Sequence, residues 1–225
     1  MRAQPVLLLA GMIGAVFCYG MPAQADTIYD NGVLLAEVDS RIYSDFDFPQ
    51  QVADSFILAA GFTTITDIHW WGCYGTITPE GDNFTIRIFE NDVDRPAATP
   101  LVEMLSVNVG REPTGLEQGG GPSYFYSLYV SPIVLSADTT YWLSIVNDTS
   151  VVGASVAWGW LQDSDSGVLS WRPEDAESWR VAEGDTAFYL TNDEIVPEPS
   201  TMVLLALGSA ARDTRDAKSQ QHHRR

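Results

Sequence analysis

The sequence predicts an all-β fold, a two-sheet β-sandwich of jelly-roll type, over residues 26–192. Three observations carry that expectation. Runs of β-branched and aromatic residues with period two recur from Asp26 to Thr191, and Gly, Pro, Asn and Asp punctuate them at short intervals. No segment between those limits offers ten residues of helical periodicity free of Gly and Pro. About ten such runs in this length is the number that two packed sheets require.

Taken in order, the chain opens with a segment that reads as a signal peptide, residues 1–25. Arg2 supplies a positive start, Val6 to Tyr19 is almost unbroken apolar sequence, and Ala23-Gln24-Ala25 places small residues at the two positions that a signal peptidase reads. Cleavage is expected after Ala25. The apolar run is 14 residues, short of the roughly 20 that cross a bilayer.

Strands are then expected at Ala53–Ala59, Thr64–Tyr74, Phe84–Glu90, Leu101–Val109, Tyr124–Val130, Tyr141–Val146, Ala154–Leu161, Val168–Trp171 and Thr186–Thr191. Alternation assigns faces within them. Phe84, Ile86 and Ile88 share one face of their strand, opposite Thr85 and Arg87, and Tyr141, Leu143 and Ile145 share a face of theirs.

Charge excludes some functions. The 225 residues carry 30 Asp and Glu against 12 Lys and Arg, a net charge of −18. Between Asp26 and Val196 the balance is sharper, with six Arg against 27 acids, or −21. Such a domain has no cationic surface with which to neutralise phosphates, so nucleic acid is not an expected partner. Export implies an oxidising compartment, yet Cys73 is the only cysteine after cleavage, so no internal disulfide can form and Cys73 reads as a core residue.

The C-terminal end is a linker at 193–200, an apolar stretch at 201–211 and a polar, basic tail at 212–225. Val196-Pro197-Glu198-Pro199-Ser200 followed by apolar sequence and then Arg212 onward resembles the PEP-CTERM sorting tag of Gram-negative bacteria that make extracellular polysaccharide. The resemblance implies recognition and cleavage by an exosortase during transient association with the membrane, then release or attachment at the cell surface. Two prolines keep the motif extended, and an apolar helix with basic residues behind it can park in a bilayer. This chain departs from the pattern in length. Eleven apolar residues, Thr201–Ala211, make about 16 Å of helix against a hydrocarbon core of about 30 Å.

The central domain also resembles a stretch seen in many proteins that carry this tag, through Gln51–Phe56, Ile68–Gly72, Asp82–Phe89, Thr139–Ile145 and Trp158–Trp160. That resemblance implies a secreted β-sandwich and no defined biochemical role.

Candidate chemistry is sparse. His69 is the only histidine between residues 26 and 196, so a catalytic triad would have to use it and a zinc site would lack a second imidazole. No nucleophile elbow, P-loop or dinucleotide fingerprint occurs, and no catalytic residue or enzyme activity is expected. Calcium is the one cofactor with a sequence rationale, since alternating carboxylates on a turn can present several oxygens to a hard cation. Asn91, Asp92 and Asp94, together with Asp163 and Asp165, are the candidate ligands. All seven tryptophans lie in the central domain, and Trp171 and Trp179, flanking the loop 172–178, are the candidates for stacking on sugar rings. The first expectation is thus an exported, non-catalytic surface or matrix protein linked to exopolysaccharide or biofilm, with signal peptidase and exosortase as processing partners. A carbohydrate-binding module, helped by calcium, is the alternative; an acid-pair glycan hydrolase ranks third.

Overall fold

A computed structural model describes residues 25–32, 40–75, 77–118, 120–151, 156–163 and 167–192. The signal-cleavage residue Ala23, the candidate ligand Asp165 and the whole motif Val196–Ser200 lie outside the described residues, as do the linker, apolar stretch and tail. Among the described residues there is no helix, and thirteen strands form two antiparallel sheets, the two-sheet architecture that the alternation predicts.

The strands are β1 (Asp26–Asp30), β2 (Arg41–Tyr43), β3 (Gln51–Ile57), β4 (Thr64–Tyr74), β5 (Phe84–Glu90), β6 (Val102–Val107), β7 (Arg111–Gln118), β8 (Gly121–Val134), β9 (Thr140–Asn147), β10 (Trp158–Leu161), β11 (Val168–Arg172), β12 (Arg180–Glu183) and β13 (Phe188–Asn192). One sheet has seven strands. At its centre β4 pairs with β8 along one edge and with β13 and then β10 along the other; β7 extends the β8 side, β1 flanks β13 and β2 flanks β10. The second sheet has the order β12-β11-β3-β9-β5-β6. The chain changes sheet at most connections, as it does in a jelly roll.

The core lies between the sheets. Phe84, Ile86 and Ile88 of β5 and Tyr141, Leu143 and Ile145 of β9 meet Trp70, Trp158 and Trp160 from the seven-stranded sheet, on the faces that alternation assigns them. Gly72 is required for this packing. A Cβ there would stand 2.3 Å from the indole of Trp158, which crosses over the glycine backbone. A buried polar node closes one end. The carboxylate of Asp45, wholly buried, accepts hydrogen bonds from the Thr149 hydroxyl at 2.9 and 3.0 Å, from the Trp158 backbone N–H at 2.8 Å and from the Asp47 N–H at 2.9 Å. Burial pushes its pKa up while these donors pull it back.

Four strands escape the sequence reading: β1, β2, β7 and β12. The first two and the last are short. In β7, Arg-Glu-Pro-Thr-Gly-Leu-Glu-Gln contains a proline and a glycine and reads as a loop; it is a strand because β8 supplies its ladder, with an irregularity between Pro113 and Glu117. β8 runs from Gly121 to Val134, beyond the expected Tyr124–Val130, because β4 pairs with it from Cys73 back to Thr64.

Candidate functional site

Sheet faces decide where side chains are available. In β4 the alternation sends Ile68 and Trp70 into the core, which turns Asp67, His69, Trp71 and Cys73 outward. In the neighbouring β8, Tyr126 and Leu128 point inward and Phe125, Ser127 and Tyr129 outward; in β13, Phe188 and Leu190 point inward and Tyr189 and Thr191 outward. Register brings these outward residues side by side, with Trp71 opposite Phe125, His69 opposite Tyr189, and Asp67 opposite both Tyr129 and Thr191.

The result is an aromatic face. The rings of Tyr189 and His69 stack at 4.2 Å and 9°, and Phe125 lies parallel to both, 6.3 Å from Tyr189 and 5.9 Å from His69. Trp71 tilts against the other two at 45–48°, 5.3 Å from Phe125 and 5.7 Å from Tyr189. Trp71, Phe125 and Tyr189 are partly exposed, and Tyr129 is 75% exposed. Polar groups sit among the rings. The Thr191 hydroxyl lies 3.3 Å from His69 Nε2 and donates to Asp67 Oδ2 at 3.2 Å, while Asp67 Oδ1 is a buried acceptor with no hydrogen-bond partner among the described residues. Burial, aided by the charges of Asp30 and Asp67, raises the pKa of the Tyr189 hydroxyl and keeps it a neutral donor.

The stacking residues expected from sequence lie elsewhere. Trp179 is only 4% exposed, packed with Ala53, Phe89 and Trp142 on the outer face of the six-stranded sheet. The segment 172–179 folds back over that face and roofs it. The Arg172 guanidinium stands 4.4 Å from the Trp179 ring centre, and Arg87 and Arg172 both grip Asp175. Trp179 is therefore corrected from a sugar-stacking residue to a core one, since the loop expected to display it buries it. Trp171, one strand position from Arg172, lies on the opposite face, half-buried against the main core with Arg180 over its ring at 4.8 Å. The two tryptophans share no surface.

The candidate calcium residues also separate. Asn91, Asp92 and Asp94 occupy the turn after β5, where Val93 and Asp94 have φ values of 49° and 59° and Asp92 N–H donates to the Arg95 carbonyl at 2.7 Å. Asp92 and Asp94 are exposed, whereas the Asn91 side-chain oxygen accepts the Trp142 indole N–H at 2.9 Å. Asp163 belongs to another corner, against Gly32 and beside Asp185. Among the described residues no group of three or more His, Cys, Asp or Glu side chains converges as a metal site.

That corner does hold two close carboxyls, which sequence reasoning did not single out. Asp54, buried on β3, accepts at Oδ2 from the Thr186 N–H and hydroxyl, both at 2.7 Å, and from Asn31 Nδ2 at 3.1 Å, and at Oδ1 from the Ser55 N–H at 2.7 Å. Asn31 Nδ2 also donates to Asp185. Burial and the neighbouring Asp185 charge push the Asp54 pKa up to about 8, and Asp185 is raised too, first by its own burial. The donors come from β1, β3 and the approach to β13, so the pair fastens the sheets together. An apolar groove of about 460 Å³ runs between β6 and the end of β8, lined by Leu101, Met104, Val130, Ile133 and Val134, and has no titratable group in its lining.

Residues 196–212 match the family model of the PEP-CTERM protein-sorting motif. The chain thus carries the tag that marks an exported protein for exosortase processing during transient membrane association. No curated protein gives a significant match to the chain.

Proposed function

We propose that this is a non-catalytic protein of the cell surface or extracellular matrix, delivered by its sorting tag and working in an exopolysaccharide or biofilm setting. The observation that carries the reading is the order of parts in the chain. A sandwich with its own core ends at Asn192, and the matched sorting motif starts at Val196. The tag therefore follows the last strand in sequence, where its removal would not cut into the thirteen strands. Two features support the non-catalytic reading. The oxygens of the Asp54–Asp185 pair serve structural donors, and the groove beside β6 offers no acid or base.

The test is expression of the full chain in a host with its exosortase intact or deleted. With exosortase present, the protein is recovered as a shortened product in the surface or medium fraction. Deletion of the exosortase, or the double substitution Pro197→Ala and Pro199→Ala, leaves the longer form in the membrane fraction. Identical size and fractionation in the two hosts would overturn the proposal.

A further inference from the structure

We infer that the outer face of the seven-stranded sheet is a binding site for neutral polysaccharide, with Trp71, Phe125, Tyr129 and Tyr189 as its stacking residues. This deepens the proposed function, on which it rests for the presence of polysaccharide around the mature protein.

The outward face of an antiparallel sandwich sheet is normally polar. Here three adjacent strands place aromatic rings on it in register. Both sheets carry outer aromatics, and their fates differ. Phe89 and Trp142 of the six-stranded sheet are buried beneath the 172–179 segment, whose own Trp179 packs against them, whereas Trp71, Phe125 and Tyr189 stay partly exposed and Tyr129 mostly so. A part-exposed aromatic patch on a domain of this acidity is a recognition surface by its composition.

Its geometry suits sugar rings. Phe125 and Tyr189 share one plane orientation to within 11°, and Trp71 tilts against them as a wall. The electron-rich face of an aromatic ring attracts the partly positive C–H bonds of a pyranose as it attracts the edge of another ring. From Asp67 to Trp71 the strand advances roughly 13 Å, the reach of a short oligosaccharide. Asp67, Ser127 and Thr191 lie between the rings, with Asp30 opposite Tyr189 and Glu112 opposite Phe125 at the flanks. Ser127 is partly exposed and Asp30 and Glu112 are exposed, so these three offer acceptors and a donor to hydroxyl groups, whereas Asp67 and Thr191 are buried.

Charge selects the class of glycan. Asp30, Asp67 and Glu112 share this face with Arg41, whose Nη1 lies 3.7 Å from the Cys73 sulfur, and three acids to that cation in a domain of net −21 disfavour uronate and sulfated polymers over neutral ones.

The test uses the full chain in affinity electrophoresis through gels containing dextran, mannan, galactan or hydroxyethylcellulose, with alginate as the anionic arm. Retardation is expected in at least one neutral polymer, weakened about tenfold by Tyr129→Ala and by Trp71→Ala, and unchanged by Trp171→Ala. Tyr129 is exposed, so its truncation leaves the fold intact, which the melting temperature verifies. No retardation in any neutral gel, retardation in alginate alone, or equal retardation of wild type and Tyr129→Ala would each overturn the site. So would a dimer in sedimentation that Tyr129→Ala dissociates, since the face would then belong to a second copy. Exosortase processing is read separately from product size. Failed sorting with glycan retention intact sinks the proposed delivery alone, and the converse sinks this site alone.

Discussion

The guanidinium of Arg87 holds the carboxylate of Asp175 through two nitrogens, at 2.9 and 3.1 Å, and so pins the segment 172–179 onto the outer face of the six-stranded sheet. Arg87 is 7% exposed at its side chain and Asp175 57%, so the pair joins a buried cation to a surface loop. Glu103 and Gln51 take two further guanidinium donors, at 2.7 and 3.1 Å.

Asp175→Ala removes the one residue of the loop that both arginines share. Because Asp175 is half in water, the loss is expected at about 2 kcal/mol, below the cost of breaking a fully buried pair. Urea unfolding gives the stability change. A red shift of tryptophan emission in the folded variant marks the unroofing of Trp179 and Trp142, and an unshifted spectrum would count against the clamp.

Gly72→Ala is expected to be among the most damaging small substitutions in the domain. Its methyl group would lie 2.3 Å from the buried Trp158 indole, which has no room to retreat. A loss of about 3 kcal/mol follows, at the upper end for overpacking. Gly75→Ala is the control, as a Cβ there meets nothing within 4 Å. Thermal melts that show the two variants equal would remove the packing role of Gly72.

Stability should fall as pH rises from 5 to 9. Asp54 is raised from 3.8 to about 8 in the folded chain, so the native state keeps a proton that the unfolded chain releases. The stabilisation from that proton is complete below the unfolded pKa and is lost as pH climbs through the folded one, with a limiting slope of about 1.4 kcal/mol per pH unit. Asp185→Asn takes away the neighbouring charge, lets Asp54 ionise at lower pH, and flattens the profile between pH 6 and 9. A wild-type denaturation midpoint that rises over this interval would refute the proton's placement.

Asn91 serves Trp142. Its side-chain oxygen accepts the indole N–H, so Asn91→Ala leaves a buried donor unpaired and is expected to cost about 1–2 kcal/mol. The loss should be the same in millimolar calcium and in chelator. A loss confined to calcium-containing buffer would make Asn91 a metal ligand and not a structural acceptor.

The sandwich was legible because alternation is a local signal. Phe84, Ile86 and Ile88 could be assigned to one face from seven residues of sequence, and they line the core. β7 was not legible, since its strand character comes from β8, whose pairing overrides Pro113 and Gly115. The aromatic face was hidden for a different reason. In Ile68-His69-Trp70-Trp71 both faces of the strand carry an aromatic residue, so alternation could not say which one is outward. Trp179 misled because it follows a polar, proline-containing stretch that reads as an exposed loop, and only the grip of Arg87 and Arg172 on Asp175 folds that stretch down.

Sequence alone suffices for the fold class and the sorting tag. Strand periodicity and the Val196–Ser200 motif are both written in consecutive residues, so each is read from a short window of the chain. Which aromatic side chains meet solvent is a matter of three dimensions. Trp70 and Trp71 differ only in which side of β4 they occupy, and Trp142 and Trp71 differ only in whether a distant loop closes over them. Those differences are set by register and by contacts between residues as far apart as Arg87 and Asp175, and no window along the chain contains both.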